Sequence, residues 1–220
     1  MSFPVVLDAC VLIPMPIADL LLRLATAKQF RPLWSDEILN EVERNLVKKL
    51  HKDPHSARTR VNAMRDFFPD ALVENYESLV PAMTNDPKDR HVLAAAVRSR
   101  AELIVTSNQK DFPTTALKPY DVAVRSPDDF LLDQLDLDPS TVVRIAKEVV
   151  VDMRNPTITW NGYLEGLARA GLPLFVTELE KRTAGVDEKP VPRDTPQCGL
   201  PILIVPAVAT PALTPVPRSP

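Results

Sequence analysis

The sequence predicts an α/β domain built on a parallel β-sheet, followed by a helical extension and a proline-rich tail. Short apolar runs alternate with helical patterns over about the first 130 residues, which is typical of a parallel sheet crossed by helices. Three further helical patterns follow, and nine prolines interrupt the chain after Gly185. We therefore expect three regions, spanning residues 1–135, 136–185 and 186–220.

The bulk composition is that of an ordinary globular protein. The 220 residues are 45% hydrophobic and 25% charged, with a formal net charge of −3. That charge argues against a purely electrostatic nucleic-acid binder but not against a nuclease, whose catalytic carboxylates add to the negative total. Cys10 and Cys198 lie near opposite ends of the chain, which favours reduced thiols and a cytoplasmic location. Asp8 and Asp19 interrupt the first apolar run, so we expect neither a signal peptide nor a membrane span.

The first elements follow from apolar periodicity and capping residues. Residues 3–8 are predicted to form a strand, and residues 17–29 a helix with leucines on one face. Ser35 is a suitable N-cap for a helix over residues 35–50. Within that helix Glu41 stands beside the apolar stripe, so it should lie at the edge of the buried face.

The next elements are shorter. Residues 55–68 are predicted to form a helix and residues 71–73 a short strand. Pro87 at a first helical position would make Asp86 the N-cap of a helix that ends near residue 100. The predicted elements that complete the domain are a buried strand over residues 101–106, a short strand over residues 122–124 and a helix begun by Ser126-Pro127.

The second and third regions differ in composition. The extension has helical patterns over residues 140–153, 160–170 and 173–181, and we expect it to pack on the first domain. The prolines of the tail predict disorder or extended backbone, with the apolar residues 200–205 as a candidate docking segment.

Acidic and amide side chains stand where predicted strands end or helices run. A parallel sheet could gather them at one edge, where their oxygens would suit a hard divalent cation that keeps waters for a phosphate substrate to displace. This is the outline of a metal-dependent nuclease. The residues concerned are Asp8, Glu41, Asp86, Asp89, Asn108 and Asp111.

Four segments around these residues resemble the motifs of the PIN domain family of ribonucleases. None is specific alone, but four in this order at strand–helix junctions make a specific joint match. Many members carry Asp where this chain has Asn108, and Asp111 could supply the missing carboxylate. The matched segments are residues 6–12 (VLDACVL), 35–42 (SDEILNEV), 86–96 (DPKDRHVLAAA) and 104–112 (IVTSNQKDF).

The resemblance implies a doubly wound α/β/α sandwich that hydrolyses phosphodiester bonds with Mg²⁺ or Mn²⁺. It implies catalytic roles for Asp8, Glu41 and Asp89, with Asp8 and Asp89 as the leading metal ligands and Glu41 and Asp111 as further candidate ligands. Asp86, Asn108 and Asp111 would support the site. Grouped carboxylates repel one another, so we expect a bound metal to stabilise the fold.

The stand-alone PIN layout with a helical extension resembles VapC toxins of toxin–antitoxin pairs. This resemblance implies a tRNA or rRNA substrate, a small antitoxin that blocks the site, and a homodimer. Basic residues near the second motif predict contacts with the RNA backbone, although a solvated helical hairpin explains them equally well. The predicted contact residues are Lys48, Lys49, Lys52, Arg58 and Arg60.

Two other function classes stay open at this point. Asn108 and the acidic total charge would suit a catalytically weak PIN-like protein that binds RNA. A haloacid-dehalogenase-type phosphatase also begins with a strand-end Asp but needs a second Asp two residues later, where this chain has Cys10. We expect Cys10 to be a small buried residue rather than a nucleophile, His91 to lie at the surface, and Trp34 and Trp160 to belong to the core.

Overall fold

Four parallel strands form the central sheet, in the order β2-β1-β3-β4. The structure, a computed structural model, describes residues 2–153 and 157–184. β1 lies between β2 and β3 and is buried over its last three residues, which confirms the predicted parallel α/β domain. The strands are β1 (Pro4–Leu7), β2 (Arg31–Leu33), β3 (Leu103–Val105) and β4 (Ala123–Arg125).

Two strand assignments differ from the prediction. β2 was not predicted, because it has three residues and the central one is Pro32, which normally argues against a strand inside a sheet. The predicted strand over residues 71–73 is wrong: a 3₁₀ turn at Pro69–Ala71 leaves one parallel bridge between Trp34 and Leu72.

Helices cover both faces of the sheet. From β1 the chain passes through α2 (Met15–Thr26) to β2, on one side of β1. It later passes through α5 (Arg90–Ser99) to β3, on the other side of β1. Right-handed crossovers in opposite directions place these two helices on opposite faces, as in an α/β/α sandwich. The helices are α1 (Ala9–Leu12), α2 (Met15–Thr26), α3 (Asp36–Lys48), α4 (Pro54–Phe67), α5 (Arg90–Ser99), α6 (Thr114–Leu117), α7 (Pro127–Leu137), α8 (Pro139–Asp152), α9 (Trp160–Arg169) and α10 (Pro173–Thr183).

Side-chain caps fix several helix starts. Ser35 Oγ accepts a hydrogen bond from Ile38 N at 3.2 Å, and Ser126 Oγ accepts one from Asp129 N at 3.0 Å. Ser35 was predicted as an N-cap and Ser126 as the start of a helix, and such caps typically stabilise a helix by about 1 kcal/mol each.

The start of α5 differs from the prediction. Asp86 is not its N-cap, because its carbonyl accepts a hydrogen bond from Asp89 N and its Oδ1 accepts one from Lys88 N at 3.0 Å. These bonds close a turn over Pro87, which delays the helix until Arg90. Asp89 then occupies the N-cap position but makes no side-chain capping bond, so its carboxylate is available for another role.

The helical extension packs on the sandwich as predicted, with α8 and α9 against α2 and α10 against α7. Asp128 on α7 caps α10 by accepting hydrogen bonds from Leu174 N at 3.0 Å and Phe175 N at 2.8 Å. The predicted tail and Cys198 lie outside the described residues, and the domain boundaries stay predictions. Across residues 2–153 and 157–184, no helix is long and apolar enough to cross a membrane.

Aromatic side chains contribute to the core. Trp34 is fully buried and meets Phe68 edge to face, with ring centroids 5.7 Å apart. Trp160 is partly buried and packs against the core. The predicted core position is confirmed for Trp34, whereas Trp160 lies at the margin of the core.

Candidate metal centre

Asp8 lies where β1 gives way to α1, at the carboxyl edge of the sheet. Its backbone N–H donates to Val105 O at 3.1 Å, which extends the β1–β3 ladder by one residue. The residue then serves as the N-cap of α1 without a side-chain capping bond. Asp8 is only 3% exposed, so its carboxylate is held at the bottom of the candidate site.

Two side chains hold one oxygen of the Asp8 carboxylate. Oδ2 accepts a hydrogen bond from Thr106 Oγ1 at 2.7 Å and another from Cys10 Sγ at 3.1 Å. Thr106 Oγ1 in turn accepts from Asn108 N at 3.0 Å, and Cys10 Sγ accepts from Ser107 N at 3.2 Å. Asp8 is therefore oriented before any ligand binds.

Asp89 lies close enough to four other acids for their charges to act on it. Burial, together with the negative charges of four neighbouring acids, raises the pKa of this carboxyl to about 6. The four segments that carry these side chains are far apart in sequence, and the sheet edge brings them together. The neighbouring acids, in decreasing order of effect, are Asp8, Asp111, Asp86 and Glu41.

The turn before α5 is tied to the loop after β3. Asp86 N donates to Asp111 O at 3.0 Å, and Asp111 N donates to Asn108 O at 2.9 Å. Asn108 is exposed, whereas Asp111 is partly buried and its negative charge raises the pKa of Asp89. The geometry therefore supports Asp111, more than Asn108, as the source of the fourth acidic group.

Glu41 stands at the rim of the site on α3, with its side chain 34% exposed. His91 Nε2 lies 3.9 Å from Glu41 Oε2, and Asn45 Nδ2 lies 3.5 Å from Glu41 Oε1. The surface placement expected for His91 is wrong, because its side chain is 14% exposed. Burial lowers the pKa of this imidazole, which keeps it neutral at pH 7. The sequence analysis did not predict this contact between His91 and Glu41, because the two residues lie on different helices, α5 and α3.

The donor set suits a hard divalent cation. Asp8, Asp86, Asp89 and Asp111 take part in none of the ion pairs found within residues 2–153 and 157–184. In the same ranges no three His, Cys, Asp or Glu side chains already converge as a ready ligand set. Mg²⁺ keeps several of its waters, so it does not need three direct carboxylates. An oxygen-only cluster with uncompensated negative charge fits Mg²⁺ or Mn²⁺.

Cys10 is not a nucleophile in this environment. Burial, reinforced by the charge of Asp8, raises the pKa of its thiol to about 12. Its uncharged side chain occupies the position at which a phosphatase of the haloacid-dehalogenase type would carry its second Asp, which weighs against that class.

The basic residues of the α3–α4 hairpin divide into two groups. Lys48, Lys49 and Arg58 are exposed, with Arg58 Nε 3.3 Å from Glu43 Oε1, and Lys52 is partly exposed. Arg60 differs, because its guanidinium donates to the backbone carbonyls of residues 12 and 13 and so caps α1. The predicted RNA contact by Arg60 is therefore wrong. Burial also lowers the pKa of Arg60 to about 10.

Comparisons with known proteins agree with this architecture. Residues 4–110 match the PIN domain, and residues 127–181 match the VapC50 C-terminal domain. Over 111 residues the chain is 45% identical to a Mycobacterium tuberculosis protein named "Putative ribonuclease VapC50". This alignment covers 50% of the chain and 65% of the relative, slightly less than two thirds of its length. No solved structure matches the chain. The chain therefore carries a match to the PIN domain followed by a match to the VapC50 C-terminal domain, which is a VapC-like arrangement.

Proposed function

We propose that this chain is a metal-dependent endoribonuclease that hydrolyses RNA phosphodiester bonds as the toxin of a type II toxin–antitoxin pair. The observation that carries the proposal is that the charges of four acids act on Asp89, with no Lys or Arg paired to Asp8, Asp86, Asp89 or Asp111 in the described ranges. The match to the PIN domain and the ribonuclease name of the relative support it.

Asp8 and Asp89 would hold the cation, with Glu41 and Asp111 as further ligands. Bound Mg²⁺ or Mn²⁺ would neutralise charge on the scissile phosphate and make a water nucleophilic. The oriented Asp8 keeps Oδ2 on Thr106 and Cys10, which leaves Oδ1 for the cation. Asp86 and Asn108 support the site through the backbone bonds that join the turn before α5 to the loop after β3.

Glu41 is the best placed residue to accept a proton from the attacking water. It lies at the rim, where water has access, while Asp8 is buried. The neighbouring His91 places no positive charge beside Glu41, because burial lowers the pKa of its imidazole. The two carboxylates would thus have different roles: the buried Asp8 would bind the cation, and Glu41 at the rim would accept and release protons.

RNA is the substrate that the surroundings of the site favour. Lys48 lies seven residues after Glu41 on α3, so both project from the same side of the helix about 10 Å apart along its axis. Lys48, Lys49, Lys52 and Arg58 would contact the backbone of a tRNA or rRNA. On the likeness to VapC toxins, we also propose a small antitoxin as partner, a homodimer and a cytoplasmic location.

The test is cleavage of a mixed tRNA and rRNA pool by the purified full chain. Cleavage in Mg²⁺ or Mn²⁺ should disappear with EDTA and in the Asp8→Ala and Asp89→Ala variants. Glu102→Ala is the matched control, because Glu102 is an exposed acid just before β3, at the opposite edge of the sheet. Cleavage by the Asp8 and Asp89 variants at the control's rate would refute the site assignment. RNA binding without turnover would instead identify a catalytically weak RNA-binding protein.

A further inference from the structure

We propose that Cys10 is a positioning residue of this centre, which orients Asp8 and fastens it to the loop after β3. This inference rests on the proposed metal-dependent function, because it assigns Cys10 a role only through the cation-binding oxygen of Asp8. Neither the sequence motifs nor the family likeness gave this residue a role beyond filling space.

The Cys10 thiol links two segments that are distant in sequence. Its S–H donates to Asp8 Oδ2 at 3.1 Å, and its sulfur accepts the backbone N–H of Ser107 at 3.2 Å. Cys10 Sγ also lies 3.3 Å from Thr106 Oγ1, so the two side chains are in contact as they approach the same carboxylate oxygen. A side chain without a donor and an acceptor could not make both bonds.

Cys10 and Thr106 form two parallel connections. Each donates to Asp8 Oδ2, and each accepts one of two consecutive backbone N–H groups, those of Ser107 and Asn108. With both donors on Oδ2, the carboxylate cannot rotate without losing two hydrogen bonds. The other oxygen is then held in one direction for a cation, which is how supporting hydrogen bonds orient metal ligands.

The loop that Cys10 anchors also reaches the third motif. Asn108 O accepts from Asp111 N at 2.9 Å, and Asp111 O accepts from Asp86 N at 3.0 Å. The connection therefore runs from the end of β1 through the loop after β3 to the turn that carries Asp86 and Asp89. Removing the thiol takes away one of the two side-chain bonds to Asp8 and one anchor of this loop.

The test compares Cys10→Ser with Cys10→Ala, because the two variants differ by one hydroxyl oxygen. Calorimetric titration with Mn²⁺ measures affinity in the metal-free full chain, and thermal unfolding in EDTA measures the fold itself. We expect Cys10→Ala to weaken Mn²⁺ binding about 10-fold, the low end for a group that supports a metal ligand. Cys10→Ser should stay within about threefold of wild type, and the two variants should unfold at similar temperatures in EDTA.

Each outcome decides a different claim. Equal Mn²⁺ affinity in Cys10→Ala and wild type would overturn the positioning role while leaving the metal centre intact. Equal losses in the Ser and Ala variants would assign the effect to the volume of the sulfur, which also overturns it. If the wild-type chain binds no Mn²⁺, the proposed metal centre itself fails.

Discussion

Two groups of buried acids in this chain have opposite surroundings. Where α2 meets α8, Asp19 Oδ2 lies 3.1 Å from Arg23 Nε, and Arg23 Nη1 lies 2.7 Å from Asp152 Oδ2. The side chains of Asp19 and Arg23 are 11% and 5% exposed. At the carboxyl edge of the sheet, Asp8 is also buried and its charge acts on the partly buried Asp89, yet within residues 2–153 and 157–184 neither forms an ion pair.

The presence or absence of a cationic partner distinguishes acids that stabilise the fold from acids proposed to bind a ligand. A buried carboxylate is costly unless a positive charge or hydrogen bonds compensate it. The fold provides that charge to Asp19 from its own chain, and Arg23 thereby joins the sandwich to the helical extension. At the sheet edge no such charge comes from the described residues, and Asp8 is compensated only by its hydrogen bonds to Thr106 and Cys10. The proposed cation would supply the missing positive charge.

The largest expected effect concerns the compensated group. Arg23→Met leaves Asp19 buried without its partner, and breaking such a pair typically costs about 3–5 kcal/mol. Urea unfolding should show this loss whether or not Mn²⁺ is present. Arg169→Met is the matched control, since Arg169 and Glu165 are 3.8 Å apart and 75% and 70% exposed. The control should change stability by less than about 0.5 kcal/mol. Equal effects in both variants would show that burial does not distinguish these pairs.

The uncompensated group should control activity rather than folding. Asp8→Asn keeps the shape of the side chain but removes the charge that would hold a cation. We expect RNA cleavage to fall at least about 100-fold, since even groups behind a metal ligand contribute 10–100-fold. Metal-free stability should not fall by a comparable amount. A variant that unfolds in EDTA as Arg23→Met does would place Asp8 among the structural acids instead.

Neutralising Asp89 should stabilise the metal-free protein at pH 7. The ordinary pKa of 3.8 rises to about 6 in the folded chain, so the folded state holds this proton more tightly than the unfolded state. Stability is therefore lost as pH rises from about 4 to about 6, and the loss persists above that range. Solvent screening of this partly exposed group reduces the effect to about 1 kcal/mol, or about 2–4 °C in the unfolding midpoint.

Thermal unfolding of wild type and Asp89→Asn in EDTA, at pH 4 and pH 7, checks this expectation. The variant should be the more stable protein at pH 7, and the difference should shrink at pH 4. A difference of the same size at both pH values would mean that charge repulsion at Asp89 is not its cause.

The smallest effect should separate Asp111 from Asn108. Asp111→Asn removes a charge that acts on Asp89, and a loss of about 1 kcal/mol would weaken Mn²⁺ binding about fivefold. Asn108→Ala removes an exposed amide but keeps the backbone bonds to Thr106 and Asp111, so it should change affinity less than about twofold. Calorimetry on both variants measures the difference, and the reverse order would make Asn108 the fourth site residue.

Local sequence patterns predicted the elements that depend on local physics. Apolar runs gave β1 and β3, and a serine before acidic residues gave the start of α3. The misses have non-local causes. β2 forms around Pro32 because β1 offers it a pairing edge, and the turn at Asp86 is held from outside by Asp111 O.

The candidate site shows the same contrast between features set by local sequence and features set by the fold. The acids themselves stand out in the sequence because they stand where predicted strands end or helices run. The contact of His91 with Glu41, the capping of α1 by Arg60 and the bonds of Cys10 depend on which elements the fold brings together. A spacing pattern carries no signal for contacts of that kind.

Thermal unfolding of the metal-free full chain during titration with Mn²⁺ tests the central claim most directly. At 100 times the dissociation constant, an ion that binds only the folded state stabilises it by about 2.7 kcal/mol, or about 5–10 °C for a chain of this size. We predict that rise for wild type and for Glu102→Ala, and no rise for Asp89→Asn. An unchanged wild-type midpoint, or an equal rise in Asp89→Asn, would contradict the claim that the acids at the carboxyl edge of the sheet bind a cation.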